Sequence, residues 1–314
     1  MLYISLIIFL FLAMLLYFKV ADHFNIIDKP NERSSHSEVT IRGGGIIFLI
    51  AASIAFVFYP KYWILSLGML AIGIISFIDD RITLSNKIRL FVHLFAVTLL
   101  FISLSAFQFF SPYVITLLYV FVIGTINAYN FMDGINGITG VYSFVVLGGL
   151  QYVNLNIIKF VEPDMIWLPI IAVSVFLYFN FRKRAKCFAG DVGSITIAFW
   201  ILFLLIKLIM QTGNYGYILF LAVYGVDAVL TIVHRLILKQ NIFQAHRFHF
   251  YQILANEQKQ SHLLISSVYG AIQVLIVAIV TQFSLRFVPL FLIIITPLAL
   301  IYIFFKPKLM KAKS

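Results

Sequence analysis

The sequence predicts an all-α, polytopic integral membrane protein with ten to eleven transmembrane helices, folded as one domain over residues 1–314. Three observations carry that prediction. Of 314 residues, 62% are hydrophobic and only 11% charged, whereas roughly a quarter are charged in an ordinary soluble domain. One apolar tract follows another from Leu2 to Phe305, and the mean hydropathy is +1.02. Lys and Arg also alternate between the breaks: with the amino end outside, 19 of the 23 fall on one side, which the positive-inside rule makes cytoplasmic.

A bilayer core about 30 Å thick needs about 20 apolar residues per helix. Eleven tracts meet the need: 2–20, 43–59, 62–78, 88–107, 112–129, 137–152, 165–180, 193–211, 214–233, 263–282 and 286–305. Only Pro60-Lys61 and Thr212-Gly213 separate two of the pairs, so a count of ten is the alternative. The first tract has no basic residue before it and Lys19 after it, the reverse of a cleavable signal peptide, so it is expected to be retained. A β-barrel would show ten-residue segments of period two, and Ile64–Ile78 shows none. The expected arrangement is amino terminus out, carboxyl terminus in, with inner loops at 21–42, 79–89, 130–137, 181–192 and 234–262. The net charge of +11 then follows from topology and implies no nucleic-acid partner. The single Cys187 excludes an intramolecular disulfide and falls in a loop assigned to the reducing cytosol.

The chemistry-bearing residues gather at the inner ends of the tracts. Asp79 and Asp80 close an apolar helix, where two ionised carboxylates need compensation. They suit a divalent cation or proton transfer; the alternative is a solvated helix end answered by Arg81, Lys87 and Arg89. Asn127 to Gly137 is a polar break between two helices, with Asn127 and Asn130 on one face. Asp133 and the amides of Gly134 to Gly137 suit a hard cation and an anion, or form an ordinary loop with Asx turns. Gly190-Asp191-Val192-Gly193-Ser194 opens the next helix after a basic run, either to bring backbone near a phosphate while Asp191 takes Mg²⁺, or as a plain cap. His246-Arg247-Phe248-His249 supplies two imidazoles and a guanidinium for a phosphate, or one face of an amphipathic helix. Gly43-Gly44-Gly45 enters a helix whose terminus can receive an anion or serve as a flexible entry. Asp227, inside a helix, can pair toward Arg235, and His93 reads as structural.

Five segments in series carry a resemblance: Asp28 to Gly45 (DxPNxRSSH…GGG), Asp79 to Arg89 (DDRxTLSxxxR), Asn127 to Gly137 (NxxNFxDGxNG), Phe188 to Ser194 (FxGDxGS) and His246 to Gln252 (HRxHxYQ). In order, spacing and inner-face location over roughly residues 20 to 255 they resemble the polyprenyl-phosphate N-acetylhexosamine-1-phosphate transferases, glycosyltransferase family 4. The resemblance implies transfer of a sugar 1-phosphate from a UDP-N-acetylhexosamine to undecaprenyl phosphate, with release of UMP, in a bacterial cytoplasmic membrane. It implies Mg²⁺, with Mn²⁺ as a substitute, held mainly by Asp191 with the Asp79-Asp80 pair beside it, and Asp79 as base in a single displacement. Asn127, Asn130, Asp133, Gly190 and Ser194 would line the nucleotide and metal side. His246, Arg247 and His249 would hold the pyrophosphate, Lys87 and Arg89 the lipid phosphate, with Arg33 and His36 in support. Membrane lipid surrounds such a protein, and a homodimer is compatible with the resemblance.

The HRxHxYQ ending, RSSH and the triple glycine are similar to the branch that starts O-antigen, capsule or other surface polysaccharides. The phospho-N-acetylmuramoyl-pentapeptide transferase branch typically has three consecutive histidines, absent here. Asn136 stands where many members carry a second Asp, and Val39-Thr40-Ile41 replaces a Pro-Thr-Pro-like stretch. A rival from another class, a transporter for an anionic solute, should break its helices near the bilayer midplane; here the breaks cluster at one face.

Overall fold

The computed structural model describes residues 2–29, 38–241, 247–283 and 286–311. Arg33, His36 and His246 lie outside the described residues. Eleven apolar helices follow the eleven tracts: α1 (Leu2–His23), α2 (Ile46–Phe58), α3 (Trp63–Arg81), α4 (Asn86–Ser103), α5 (Pro112–Met132), α6 (Ile138–Asn156), α7 (Asp164–Asn180), α8 (Gly190–Thr212), α9 (Ala222–Ile237), α10 (His262–Gln282) and α11 (Phe287–Lys311). Among the described residues nine segments are long and apolar enough to cross a membrane, and α2 and α7 are shorter apolar helices.

Helix α8 is the hub. It is apolar all round, the mark of a helix with no solvent face. Trp200, Phe199 and Phe203 are fully buried against α2, α3, α5 and α6. Glycines let its neighbours close in. A Cβ on Gly45 would come within 2.1 Å of Gly193 Cα, and one on Gly73 within 3.0 Å of the Thr196 hydroxyl. Such small-residue contacts replace the hydrophobic drive that lipid removes.

The ninth span is broken. A 3₁₀ turn, Tyr215–Leu221, precedes α9, and the backbone groups loosened there need partners inside a membrane. Gln273 of α10 supplies them: its amide donates to Leu219 O (3.1 Å) and its carbonyl accepts from Val223 N (3.3 Å) and Tyr142 OH (2.9 Å).

Polar contacts separate into two ends. At one end Tyr3 and Tyr59 donate to Asp164 (2.5 and 2.6 Å), and Tyr62 and Lys61 meet Glu162. Those contacts join α1, the α2–α3 turn and α7. At the other end the α1–α2 loop forms a two-stranded ladder, β1 (Ile27–Asp28) with β2 (Thr40–Ile41), and Ile41 bridges to Cys187. The α3–α4, α5–α6 and α7–α8 connections meet there too, which is the alternation expected from the Lys and Arg pattern.

Candidate active site

Asp80 is the centre of the polar end. Its side chain is wholly shielded, and three donors converge on it: Arg42 Nε at 2.7 Å and Asp191 N at 2.9 Å on Oδ1, and Val192 N at 3.0 Å on Oδ2. The two amides belong to the first turn of α8, whose orphan N–H groups need acceptors. Asp80 therefore caps α8 from another helix and fixes where Asp191 points. Gly190 is required beside it: its φ is +71°, and a Cβ there would lie 2.6 Å from Asp80 Oδ2.

Around this pair the charges interlock. Arg42 Nη2 lies 3.5 Å from Asp191, while Arg89 lies 3.3 Å from Asp79 and 3.9 Å from Asp191. Asp79 also accepts from Leu84 N at 2.7 Å, which closes the turn after α3. Burial works against the Arg42 charge, but Asp80, Asp191 and Asp28 outweigh it and raise its pKa above the ordinary value. Asp191 keeps 18% of its side chain exposed against 8% for Asp79 and none for Asp80, so it is the carboxylate most open to a ligand. Lys87 is exposed at the start of α4.

Asn130 reaches the same centre: its amide donates to Ser194 Oγ (3.2 Å), which donates to Gly190 O (3.1 Å). Asn127 instead donates to Ile123 O of its own helix at 2.8 Å. Asp133, at the end of α5, has its carboxyl pushed up to about 7 by burial, with Asp191 and Asp80 adding to the rise and Thr139 opposing it.

Three expectations are corrected. In the glycine run two of the three amides are already committed to backbone carbonyls. Gly44 N and Gly45 N donate to Phe188 O (2.8 Å) and Ala189 O (3.0 Å), and a Cβ on Gly44 would sit 2.5 Å from Cys187 Sγ. The run is a close-packed seam that locks the α1–α2 loop onto the loop before α8. The turn at Gly134 to Gly137 is likewise partly committed: Gly137 N donates to Asn180 Oδ1 (2.7 Å) and Asn136 N faces His262 Nδ1 (3.4 Å). Asn136 donates its amide to Arg182 O at 2.8 Å. Asp227 does not pair with Arg235, which turns to Gln240 and Asn241 O; Asp227 reaches His249 Nδ1 at 3.4 Å and the amide of Phe250 at 2.8 Å. His249 is thus buried beside Asp227, and Arg247 is half-buried. His93 is buried, as expected of a structural residue.

Asn180 was not singled out in the sequence, yet it joins two site loops by accepting from Gly137 N and donating to Cys187 O at 2.8 Å. Its one signal was a polar residue ending an apolar tract.

An apolar cavity of about 450 Å³ lies between α5, α9 and α11, with Gly124, Ala128, Val226, Val229, Phe291 and Ile295 among its lining. Val229 is exposed on the outer surface of the bundle, so the cavity opens toward lipid. Asn130 and Asp133 follow its Ala128 edge along the same helix end.

A helical bundle with a carboxylate–arginine centre at one end and an apolar cavity among its helices defines a class: a polytopic integral membrane protein. Residues 62–209 match the family model described as Glycosyl transferase family 4. The chain is 24% identical over 258 residues to the probable undecaprenyl-phosphate N-acetylglucosaminyl 1-phosphate transferase of Bacillus subtilis (strain 168), covering 75% of this chain and 71% of that protein. It is 32% identical over 231 residues to the undecaprenyl-phosphate alpha-N-acetylglucosaminyl 1-phosphate transferase of Escherichia coli (strain K12), covering 64% and 60%. It is 31% identical over 183 residues to the phospho-N-acetylmuramoyl-pentapeptide-transferase of Lactobacillus acidophilus, covering 49% and 56%. These matches support the polyprenyl-phosphate hexosamine-1-phosphate transferase family. The match spans less than two thirds of the Escherichia coli relative.

Proposed function

We propose that this protein transfers an N-acetylhexosamine 1-phosphate from a UDP-sugar to undecaprenyl phosphate in a bacterial cytoplasmic membrane, releasing UMP. The lipid-linked diphosphosugar formed would start a surface polysaccharide of the O-antigen or capsule type. The observation that carries the reading is the Asp79–Asp80–Asp191–Arg42–Arg89 centre at one end of a bundle that also holds an apolar cavity between α5, α9 and α11. A lipid phosphate with a long prenyl tail has that polarity along its length.

A lipid phosphate oxygen attacks the β-phosphorus of the UDP-sugar; a new P–O bond forms there as the bond to the α-phosphate oxygen breaks and UMP leaves. Catalysis of such a step is mostly positioning and charge neutralisation. Lys87 and Arg89 receive the lipid phosphate, and Asp79, oriented by Leu84 N and Arg89, accepts its proton. Asn130, Asp133 and Ser194 line the nucleotide side, while Arg42 adds a cation next to Asp191. Arg247, half-buried, serves the pyrophosphate from the loop after α9, and the buried His249 stands behind it against Asp227.

The donor set fits a hard divalent cation. No group of three or more metal-ligating side chains is gathered among the described residues, but Mg²⁺ is commonly held through one or two carboxylates plus substrate phosphates. Asp191 and Asp79 would hold it, and Asp80, with its oxygens already engaged, would fix the loop that presents Asp191. When bound, the metal neutralises charge on the transferred phosphate.

The test is UMP release by purified protein from a panel of UDP-N-acetylhexosamines, with and without undecaprenyl phosphate and Mg²⁺, alongside Asp191→Asn. Lipid- and Mg²⁺-dependent release that the substitution abolishes is the expected result. Folded protein that releases no UMP from any donor would overturn the reading, and the preferred donor would choose between the surface-polysaccharide and the muramoyl-pentapeptide branches.

A further inference from the structure

Asp227 is a buried acid to which the reaction above gives no role. It lies within α9 and is 3% exposed, a costly place for a carboxylate unless donors surround it. Four do. Phe250 N (2.8 Å) and Thr231 Oγ1 (3.3 Å) donate to Oδ1, and Tyr269 OH (2.8 Å) and Tyr251 N (3.3 Å) to Oδ2, while the His249 ring lies beside them with Nδ1 3.4 Å from Oδ1.

These donors come from different parts of the fold. Tyr269 belongs to α10, and Thr231 shares its hydroxyl with Tyr302 of α11 at 2.7 Å, beside the buried Lys306. His249, Phe250 and Tyr251 begin the one-turn helix of the 247–252 segment, where His249 N also donates to Gln252 Oε1 at 3.4 Å. From that turn Tyr251 OH donates to Phe131 O at 2.8 Å and packs on Gly134, where a Cβ would lie 2.3 Å from the hydroxyl. The chain of contacts runs from Asp227 through His249 and Tyr251 to the turn that carries Asp133.

We propose that Asp227 is a positioning residue: it holds the 247–252 segment against the Phe131–Gly137 turn, so that Arg247 and Asp133 face one UDP-sugar. The proposal rests on the reading given under Proposed function. A residue that merely kept the bundle folded would change the amount of active protein, whereas a positioning residue changes the donor's apparent affinity in every folded molecule.

The experiment compares wild type, Asp227→Asn and Tyr269→Phe by three measurements: hydrogen exchange at residues 250–252, UMP binding, and UMP-release kinetics with each substrate varied. Asp227→Asn removes the charge behind the amide bonds at Phe250 and Tyr251. Exchange there should quicken, and the KM for the UDP-sugar should rise about tenfold, the scale of one charge-assisted hydrogen bond. UMP binding should weaken in step, with the KM for undecaprenyl phosphate within about twofold of wild type. Tyr269→Phe deletes one donor and should move the same quantities by about twofold to threefold; it decides the matter if Asp227→Asn does not fold. Faster exchange with unchanged UMP affinity and donor KM would overturn the proposal, as would unchanged exchange, or equal rises in both KM values. If wild type binds UMP and the variants show the exchange and UMP-affinity shifts, but no UMP is released from any donor, the result counts against the proposed reaction and not against the positioning role.

Discussion

Replacing Asp80 with Asn tests the architecture of the centre most directly. The carboxylate accepts from Asp191 N, Val192 N and Arg42 Nε. Asn keeps one acceptor, which can serve Asp191 N and Arg42, and turns an NH₂ toward Val192 N, a donor against a donor at about the 3.0 Å now occupied by a hydrogen bond. Leaving that buried amide unsatisfied costs about 1–3 kcal/mol. Arg42 loses its nearest anion; because its side chain is 35% exposed, solvent screening limits that share to about 1 kcal/mol. The sum, about 2–4 kcal/mol, bears on how Asp191 is held. If it appears wholly in the transition state, kcat/KM for UMP release falls by roughly 30- to 1,000-fold. Because the defect lies in placement, raising Mg²⁺ should not restore the rate. Activity within about threefold of wild type would refute the view that Asp80 holds the Asp191 loop. Full rescue at high Mg²⁺ would show that Asp80 acts as a metal ligand.

Four further outcomes follow from the same geometry. Gly190→Ala places a side chain at φ +71° and within 2.6 Å of Asp80 Oδ2; the left-handed conformation alone costs about 1–2 kcal/mol, so UMP release should fall at least about tenfold while thermal unfolding in detergent shows a folded protein. Asp133 binds its proton more tightly folded, with a pKa of about 7, than exposed, at about 3.9. Its contribution to stability therefore declines as pH rises from about 4 to about 7, and Asp133→Asn should flatten that part of the unfolding profile. Gly124 lines the apolar cavity, and a Cβ there meets nothing within 4 Å. Gly124→Leu should leave stability unchanged or raise it by about 0.5–1 kcal/mol, yet raise the KM for undecaprenyl phosphate more than for a short-chain lipid phosphate. Lys87→Ala, at an exposed position, should raise the lipid-phosphate KM at low salt and lose that effect at high salt, with stability unaltered.

Much of the molecule was legible in the chain. All eleven tracts became helices, down to the 13-residue α2 and the break at Thr212-Gly213, because lipid forces every backbone group to be satisfied within its own segment. The convergence of Asp79, Asp80, Asn130, Gly190, Asp191 and Ser194 was also foreseeable, since alternating spans put their polar ends on one face. The identity of each partner was not. Arg42 was one basic residue among several in a loop, and only the fold shows it between Asp80 and Asp191. The triple glycine read equally as an anion site or a flexible entry until Gly44 was found against Cys187 and Gly45 against Gly193.

Asp227 marks the boundary. Its spacing from Arg235 suggested a pair along one helix, a contact that local geometry permits, yet its donors come from Tyr251, 24 residues on, and Tyr269, 42 residues on. Hydropathy and charge act along the chain and through the bilayer, so they decided the spans and the end of the bundle at which the chemistry sits. Hydrogen bonds act over about 3 Å, and which groups come that close across eleven helices was decided only when those helices packed.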